Sequence, residues 1–223
     1  MVDEDGAPTP VAVVAGGTGV VGRAIVDHLA SWGYRVVVPT RSRVTASGGS
    51  AGVRLVPGVD WDHPDPLWSV LDEPGWHPTA AVAALGGWWL GPQLVDLAAA
   101  DWRAVLESHL TSHWLVARAI APRLGGPDPA YVTLGGAAAT EPMAGSGPVS
   151  VTGAAQRMLL RVLRVEPIGL RVRFHEVAVG SAVAGDERNL TPERTVEAGE
   201  VARVVGAVLT HPGSPAVVEV PGR

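Results

Sequence analysis

Two patterns of hydrophobic and polar positions take turns along this chain. Short, nearly continuous runs of β-branched and small apolar residues give way to longer stretches where apolar residues return every three or four positions. A run at 9–15 enters a glycine-rich turn. A helical pattern over 20–32 leaves it, with Ile25, Val26 and Leu29 on one face and Gly33 at its end. The run at 34–39 is almost unbroken apolar, as in parallel strands buried on both faces. Residues 44–52, rich in Ser, Gly and Ala, predict a loop or stunted helix, 54–57 a short third strand, and 67–71 a helix behind a Pro-rich turn. A small-residue strand at 80–85 ends in Gly86, Gly87, Trp88 and Trp89. Residues 93–100 and 101–124 predict a long, interrupted helical region in which Trp102, Val105, Leu106, His109, His113, Leu115 and Val116 keep helical spacing. After a break at 125–129 come a strand at 131–134, a helix at 149–165 with Met158, Leu159, Val162 and Leu163 apolar, and a strand at 170–179. A helix at 198–209 and a strand at 216–220 close the chain. The alternation predicts an α/β fold in one domain over 1–223, a doubly wound parallel sheet of about seven strands with helices on both faces. Residues 1–9 are expected to be a flexible N-terminus and 180–197, polar with Gly, Asp, Asn and Pro, a mobile loop on the substrate side.

The first turn is where chemistry enters. Gly16, Gly19 and Gly22 are spaced GxxGxxG between a strand and a helix. That context lets backbone approach a diphosphate while the helix N-terminus supplies N–H donors and a positive dipole end. Gly16, Gly17, Thr18, Gly19, Val20, Val21 and Gly22 are therefore candidate dinucleotide-binding residues, with a ligand-free tight turn as the alternative. Where a carboxylate would bind the ribose hydroxyls of NAD, the second strand runs into Thr40-Arg41-Ser42-Arg43. Arginine there suits the extra phosphate of NADP, so Arg41 and Ser42 favour NADP(H) over NAD(H); the alternative is a solvated basic turn. Trp88 and Trp89 follow a strand's carboxyl end, where α/β sheets hold ligands, or they serve core or dimer packing. His109 and His113 are i,i+4 neighbours, but no third ligand is apparent and no metal is expected.

Composition narrows the classes. A chain of 223 residues, 47% hydrophobic and 17% charged, suits one soluble domain with a sizeable core. A net charge of −5 argues against a nucleic-acid footprint. Cysteine is absent, which removes disulfides and thiolate chemistry. The acidic start lacks a basic n-region and no apolar run is long enough to span a bilayer, so the expectation is cytoplasmic, with no membrane partner. All 17 basic residues are arginine, which excludes Schiff-base and P-loop lysine chemistry. There are two tyrosines, Tyr34 and Tyr131, and one asparagine, Asn189.

Over nearly its whole length the chain resembles the short-chain dehydrogenase/reductase family, whose fold is Rossmann-type. Ala15-Gly16-Gly17-Thr18-Gly19-Val20-Val21-Gly22 looks like the cofactor turn of the extended and divergent members, with Ala15 for the usual Thr. Asp60, beside Trp61, stands where the family places the Asp that touches adenine, and Ala83-Ala84-Leu85-Gly86 where Asn-Asn-Ala-Gly follows the fourth strand. The segment from Asp101 to Thr111 looks like the family's fourth helix, with His109 at its Asn position, and Val179-Gly180 resembles the Pro-Gly after the sixth strand. The resemblance implies Asp60, Trp61, Leu85 and Gly86 as further cofactor contacts. It also implies a homodimer or homotetramer through the fourth and fifth helices. The family's chemistry uses Tyr as proton donor, Ser to hold the substrate oxygen and Lys to lower the Tyr pKa. Those positions fall on Val149, Gly136 and Gly153, and without a lysine no register restores the set.

His109 is the remaining candidate acid, since it titrates near neutral pH, with Ser146, Ser150, Thr152, Thr133 and Glu141 also near by position. Trp88, Trp89, Gly136 and Val149 are the expected substrate pocket, suited to a flat aromatic or polycyclic ketone. Three functions stay open. One is a noncanonical NADPH-dependent ketone reductase, with the proton from His109, water or the substrate itself. The second is a catalytically inactive cofactor-binding or partner-binding subunit. The third is a non-redox cyclase or dehydratase reusing the pocket.

Overall fold

The computed structural model describes residues 9–42, 52–185 and 195–222. Strands β1 (Val11–Ala15), β2 (Arg35–Thr40), β3 (Val53–Pro57), β4 (Ala80–Ala83), β5 (Ala130–Gly136) and β6 (Arg173–Val179) share one parallel sheet with the last strand, Val217–Val220. The helices are α1 (Val20–Ser31), α2 (Asp65–Leu71), α3 (Ala99–Leu106), α4 (Ser112–Ile120), α5 (Gly147–Val165) and α6 (Ala198–Thr210). Two-residue strands β7 (Ala182–Val183) and β8 (Thr195–Val196) pair apart from the main sheet, so its last strand is β9. The sheet order is β3-β2-β1-β4-β5-β6-β9, and it reverses between β1 and β4. In open α/β sheets that reversal opens a crevice at the strands' carboxyl ends.

Each central strand is buried on both faces, as its unbroken apolar run requires. One face packs Ile25, Val26 and Leu29 of α1 and Val201, Val205 and Leu209 of α6 against Val14, Val36 and Val132. The other packs Leu67 and Leu71 of α2, Val116 and Ile120 of α4 and Leu160 of α5 against Val13, Tyr131 and Phe174.

Several expected boundaries shift, each for a local reason. The fourth strand stops at Ala83, because the chain turns through left-handed Gly86, φ +89°, into a loop. The fifth runs on to Gly136, since Gly135 and Gly136 pair with Ala178 and Val179. The sixth begins only at Arg173, because Pro167–Leu170 forms a 3₁₀ turn first. The helical region at 101–124 breaks into α3, a π turn at Glu107–Thr111, α4, and a 3₁₀ turn at Ala121–Arg123 containing Pro122. Helix α5 starts two residues early, at Gly147, with Pro148 in its first turn where a missing N–H costs nothing. The expected flexible start, the loop at 44–52 and the mobile loop at 180–197 fall largely on 1–8, 43–51 and 186–194, which lie outside the described residues, as does Arg43.

Candidate functional site

The glycine turn sits at the sheet's reversal point, and its glycines do different work. Gly16 has φ +79°, and a Cβ there would stand 2.1 Å from the Ala84 carbonyl oxygen of the neighbouring strand exit. A Cβ on Gly22 would stand 2.1 Å from the Gly16 carbonyl oxygen, so Gly22 lets α1 pack tightly on the turn. Gly19 is different. Its missing Cβ would meet nothing closer than Gly16 oxygen at 3.4 Å, so the protein's own atoms do not require a glycine there. Gly19 caps α1, whose first turn holds no acidic residue and no capping side chain. The space beside Gly19 and the open N–H groups of Val20, Val21 and Gly22 form a cradle that fits a diphosphate. Thr18 is exposed, and its carbonyl accepts from Arg23 Nη2 at 3.0 Å, which stiffens the turn. Gly17 is fixed sterically, since a Cβ would come within 2.8 Å of Val38 Cγ1.

The second strand's exit lies on the same side of the sheet. Arg41 and Ser42 are exposed. Ser42 N donates to Thr40 Oγ1 at 3.2 Å, while Gly58 N and Val59 N donate to the carbonyls of Ser42 and Thr40, both at 3.0 Å. These bonds tie the basic turn to the exit of β3, where Asp60 is exposed and accepts from Asp62 N at 3.1 Å. Trp61 is half-buried against the core beside it.

Across the reversal point, Leu85 reaches the turn: a Cβ on Gly16 would lie 3.3 Å from Leu85 Cδ2. His109 belongs to the π turn and closes on Gly86, where a Cβ would come 3.0 Å from its Cδ2. His109 Nε2 lies 2.8 Å from Gly87 O and therefore carries a proton, because a carbonyl only accepts; Nδ1 lies 2.9 Å from Ser108 Oγ. His113, fully buried behind it, bonds the backbone at Leu85 while its Nδ1 finds no partner among the described residues. Burial pushes its pKa down to about 4.

The expected substrate side is built differently from an open pocket. Trp89 carbonyl accepts from Ser146 Oγ, and Gly91 N donates to Gly145 O at 2.9 Å. Leu90 packs where a Cβ of Gly145 would stand, and Leu94 where a Cβ of Gly147 would stand. The strap 87–97 is thus fastened over the start of α5, leaving the Trp88 ring exposed. Val149 is half-buried beneath, and Gly136 has only Val179 O near its missing Cβ, at 4.0 Å. Gly153 is closed: a Cβ would come 3.1 Å from Ala139 Cβ. Gly135 is closed too, by the Glu176 carboxylate, whose Oε1 would stand 2.1 Å from a Cβ. Glu176 is buried and grips Arg157 through two 2.7 Å bonds.

Two of the remaining candidates serve the backbone. Ser150 Oγ accepts from Met143 N at 3.2 Å and Thr152 Oγ1 donates to Pro148 O at 2.9 Å. Thr133 is buried with no partner among the described residues, and Glu141 is exposed. The structure therefore gathers the glycine turn, Leu85, Gly86 and His109 around the reversal point, but gives His109 no polar partner at Gly136 or Val149. Sequence reasoning missed Glu176, Arg157 and Ala139, which fill the reaction side. The signal available was Gly135-Gly136 ending a strand, a place where glycine marks close approach by another group. Among the described residues no group of three His, Asp or Glu is placed to hold a metal ion. No described helix is long and apolar enough to cross a membrane.

No protein-family model matches the chain. Two Mycobacterium tuberculosis proteins, from strains CDC 1551 and H37Rv and both named as uncharacterised oxidoreductases, are 30% identical over 91% of this chain and 86% of theirs. A Serratia marcescens short-chain dehydrogenase/reductase superposes with a TM-score of 0.81 at 19% identity, over 96% of this chain and 98% of that one. A Burkholderia cenocepacia short-chain dehydrogenase solved with NADP superposes at 0.80 and 21% identity, over 95% and 87%. The parallel sheet, its reversal point and the glycine turn agree with these likenesses, and the chain belongs to the short-chain dehydrogenase/reductase family.

Proposed function

We propose that the chain binds NADP(H) and acts as a catalytically silent cofactor-binding subunit that works through a protein contact. The carrying observation is the asymmetry of the crevice. The nucleotide side keeps a cradle that the protein's own packing does not fill, at Gly19. On the reaction side Ala139 crowds Gly153 and Glu176 closes on Gly135, while Gly136 stays open without a side chain to act. Gly16 to Gly22 would hold the diphosphate, Arg41 and Ser42 the extra phosphate of NADP, Asp60 and Trp61 the adenine end, and Leu85 and Gly86 the far ribose. The bound NADP of the Burkholderia relative supports a nicotinamide cofactor here. The contact would be a second copy of this chain on α5, where Val151, Met158, Val162 and Val165 stand exposed.

Fluorescence and calorimetric titration with NADPH and NADH tests the first half. Gly19→Glu adds a carboxylate at a roomy position with φ −76°, so the fold survives while the phosphates are repelled. Micromolar NADPH binding that Gly19→Glu abolishes and Arg41→Ala weakens is the expected result, and no binding of either nucleotide overturns it. The second half is tested by back-substitution. Gly136→Ser fits its open surroundings, while Gly153→Lys presses on Ala139 at 3.1 Å, and the triple change with Val149→Tyr is expected to yield no ketone reductase.

A second reading, a noncanonical reductase for an aromatic or polycyclic ketone, is favoured by the protonated His109 Nε2 beside Gly86 and by the exposed Trp88 ring. NADPH consumption with any such ketone, lowered by His109→Ala, would replace the silent reading with this one.

A further inference from the structure

Two open surface clefts, of about 320 and 260 Å³, flank β9 at the amino-terminal ends of β6 and β9, away from the glycine turn at the carboxyl end of β1. The larger is lined by apolar residues of α6 and β9, among them Val204, Val208 and Val218. The smaller is a cleft holding a cation. Arg164, in the last turn of α5, donates from Nε to Phe174 O at 2.8 Å and from Nη2 to Ala216 O at 2.6 Å. Its Nη1 has no partner among the described residues, and no described carboxylate lies within ion-pairing distance of it.

The other polar groups of the cleft are already committed. Arg173 gives Nε and Nη2 to Asp128 at 2.6 and 2.8 Å, so its charge is neutralised. His175 Nδ1 lies 2.8 Å from Pro215 O and must donate to it, so Nε2 accepts from Arg173 Nη1 at 2.8 Å and the ring is neutral. Glu176 is held by two bonds from Arg157 and acts on Arg164 only from beyond ion-pairing distance. What remains is one guanidinium with no ion-pair partner among the described residues, the Ser214 hydroxyl, which makes no bond within them, and apolar lining from Val172, Pro212 and Ala216. Half-burial lowers the Arg164 pKa, the Glu176 carboxylate acts the other way, and the like charge of Arg161 adds to the lowering.

We propose that this cleft binds a small apolar monocarboxylate, its carboxylate held by the free guanidinium nitrogen of Arg164 and the Ser214 hydroxyl. One free cation matches one negative charge; a phosphate dianion would call on Arg173, which Asp128 already holds. The free Nη1 can donate to one carboxylate oxygen, and the apolar lining suits a short aryl or branched-alkyl substituent. The open cleft, about 260 Å³, has room for a ligand the size of benzoate with one face left to solvent.

The test is saturation-transfer NMR on the full chain with benzoate, benzylamine and inorganic phosphate as probes. Benzoate is expected to bind with a dissociation constant on the order of 1 mM, as its size allows. Benzylamine, with the charge reversed, gives no signal. Arg164→Gln weakens benzoate at least about tenfold, the loss of a charge-assisted hydrogen bond. Ser214→Leu abolishes it by filling the cleft; since the Ser214 hydroxyl makes no bond within the described residues, this variant carries the test even where Arg164→Gln fails to fold. Equal binding of benzylamine, benzoate binding unchanged in Ser214→Leu, or displacement of benzoate by an equal concentration of phosphate would overturn the assignment.

Discussion

Helices α5 and α6 lie on opposite faces of one sheet and meet it by opposite means. Helix α6 turns Val201, Ala202, Val205, Val208 and Leu209 inward, and all are buried, against the sheet and the aliphatic stripe of α1. The inward seam of α5 is Pro148, Thr152, Gln156 and Leu160, a single large aliphatic among four. Polar groups hold it instead: Gln156 Nε2 donates to Leu134 O at 2.9 Å, Arg157 grips Glu176, and Arg164 reaches across to β6 and β9. Four apolar residues of α5 face outward, with Val151, Met158, Val162 and Val165 between 41 and 84% exposed. Hydrophobic burial fastens α6 to its own chain. Helix α5 is oriented by directional bonds, which leaves its apolar surface for something else to cover.

The largest effect expected from this contrast comes from breaking the ion pair. Arg157→Ala leaves the Glu176 carboxylate buried without its cation and costs about 3–5 kcal/mol in urea unfolding. Val205→Ala, which only opens a cavity under α6, costs about 2–3 kcal/mol. If Arg157→Ala proves the milder of the two, α5 is not held by its polar groups and the comparison fails.

The next effect is acid lability on the α4 and α5 side. Burial lowers the His113 pKa to about 4, from an ordinary histidine value of 6.5. Above pH 6.5 it is neutral in both folded and unfolded chains. As pH falls from 6.5 toward 4, only the unfolded chain takes up the proton, so stability falls over that window, by about 3 kcal/mol in all. Burial lowers His175 in the same direction, and it adds to the loss. Urea midpoints measured from pH 7 to pH 4 should drop steeply, and His113→Leu should flatten the slope by its own share. An unchanged slope in that variant would show that His113 is not the group responsible.

What the sequence disclosed follows the same division. The apolar runs of β1, β2 and β4 and the stripe of α1 are local patterns, and strand and helix periodicity report them directly. The glycine turn was legible because a strand and a helix bracket it. Helix α5 was legible as a helix, but Met158 and Val162, two of the apolar positions noted along it, turn outward. Periodicity fixes a stripe without saying what it meets, and the deciding partner, Glu176, is ten or more residues beyond the end of α5 in an apolar strand. The π turn at Glu107–Thr111 was hidden for the opposite reason: one extra residue per turn leaves no mark on so short a pattern. The closure of Gly153 by Ala139 and of Gly135 by Glu176 depends on tertiary approach, so the reaction side was legible as missing side chains but not as filled space.

The smallest expected effect on stability is also the sharpest on assembly. Met158 is half exposed near the middle of the outward stripe of α5, between Val151 and Val162. Met158→Glu touches no internal bond, and a surface change of that kind alters monomer stability by no more than about 0.5 kcal/mol. Buried against a second copy of α5, the same carboxylate would be desolvated without a partner and would oppose association. Light scattering behind size exclusion should show the parent chain at twice its monomer mass or more and Met158→Glu at the monomer mass, with melting of the diluted proteins nearly unchanged. A parent chain that is already monomeric would mean that the apolar face of α5 waits for a different partner. A variant that remains oligomeric would move the contact away from α5 altogether.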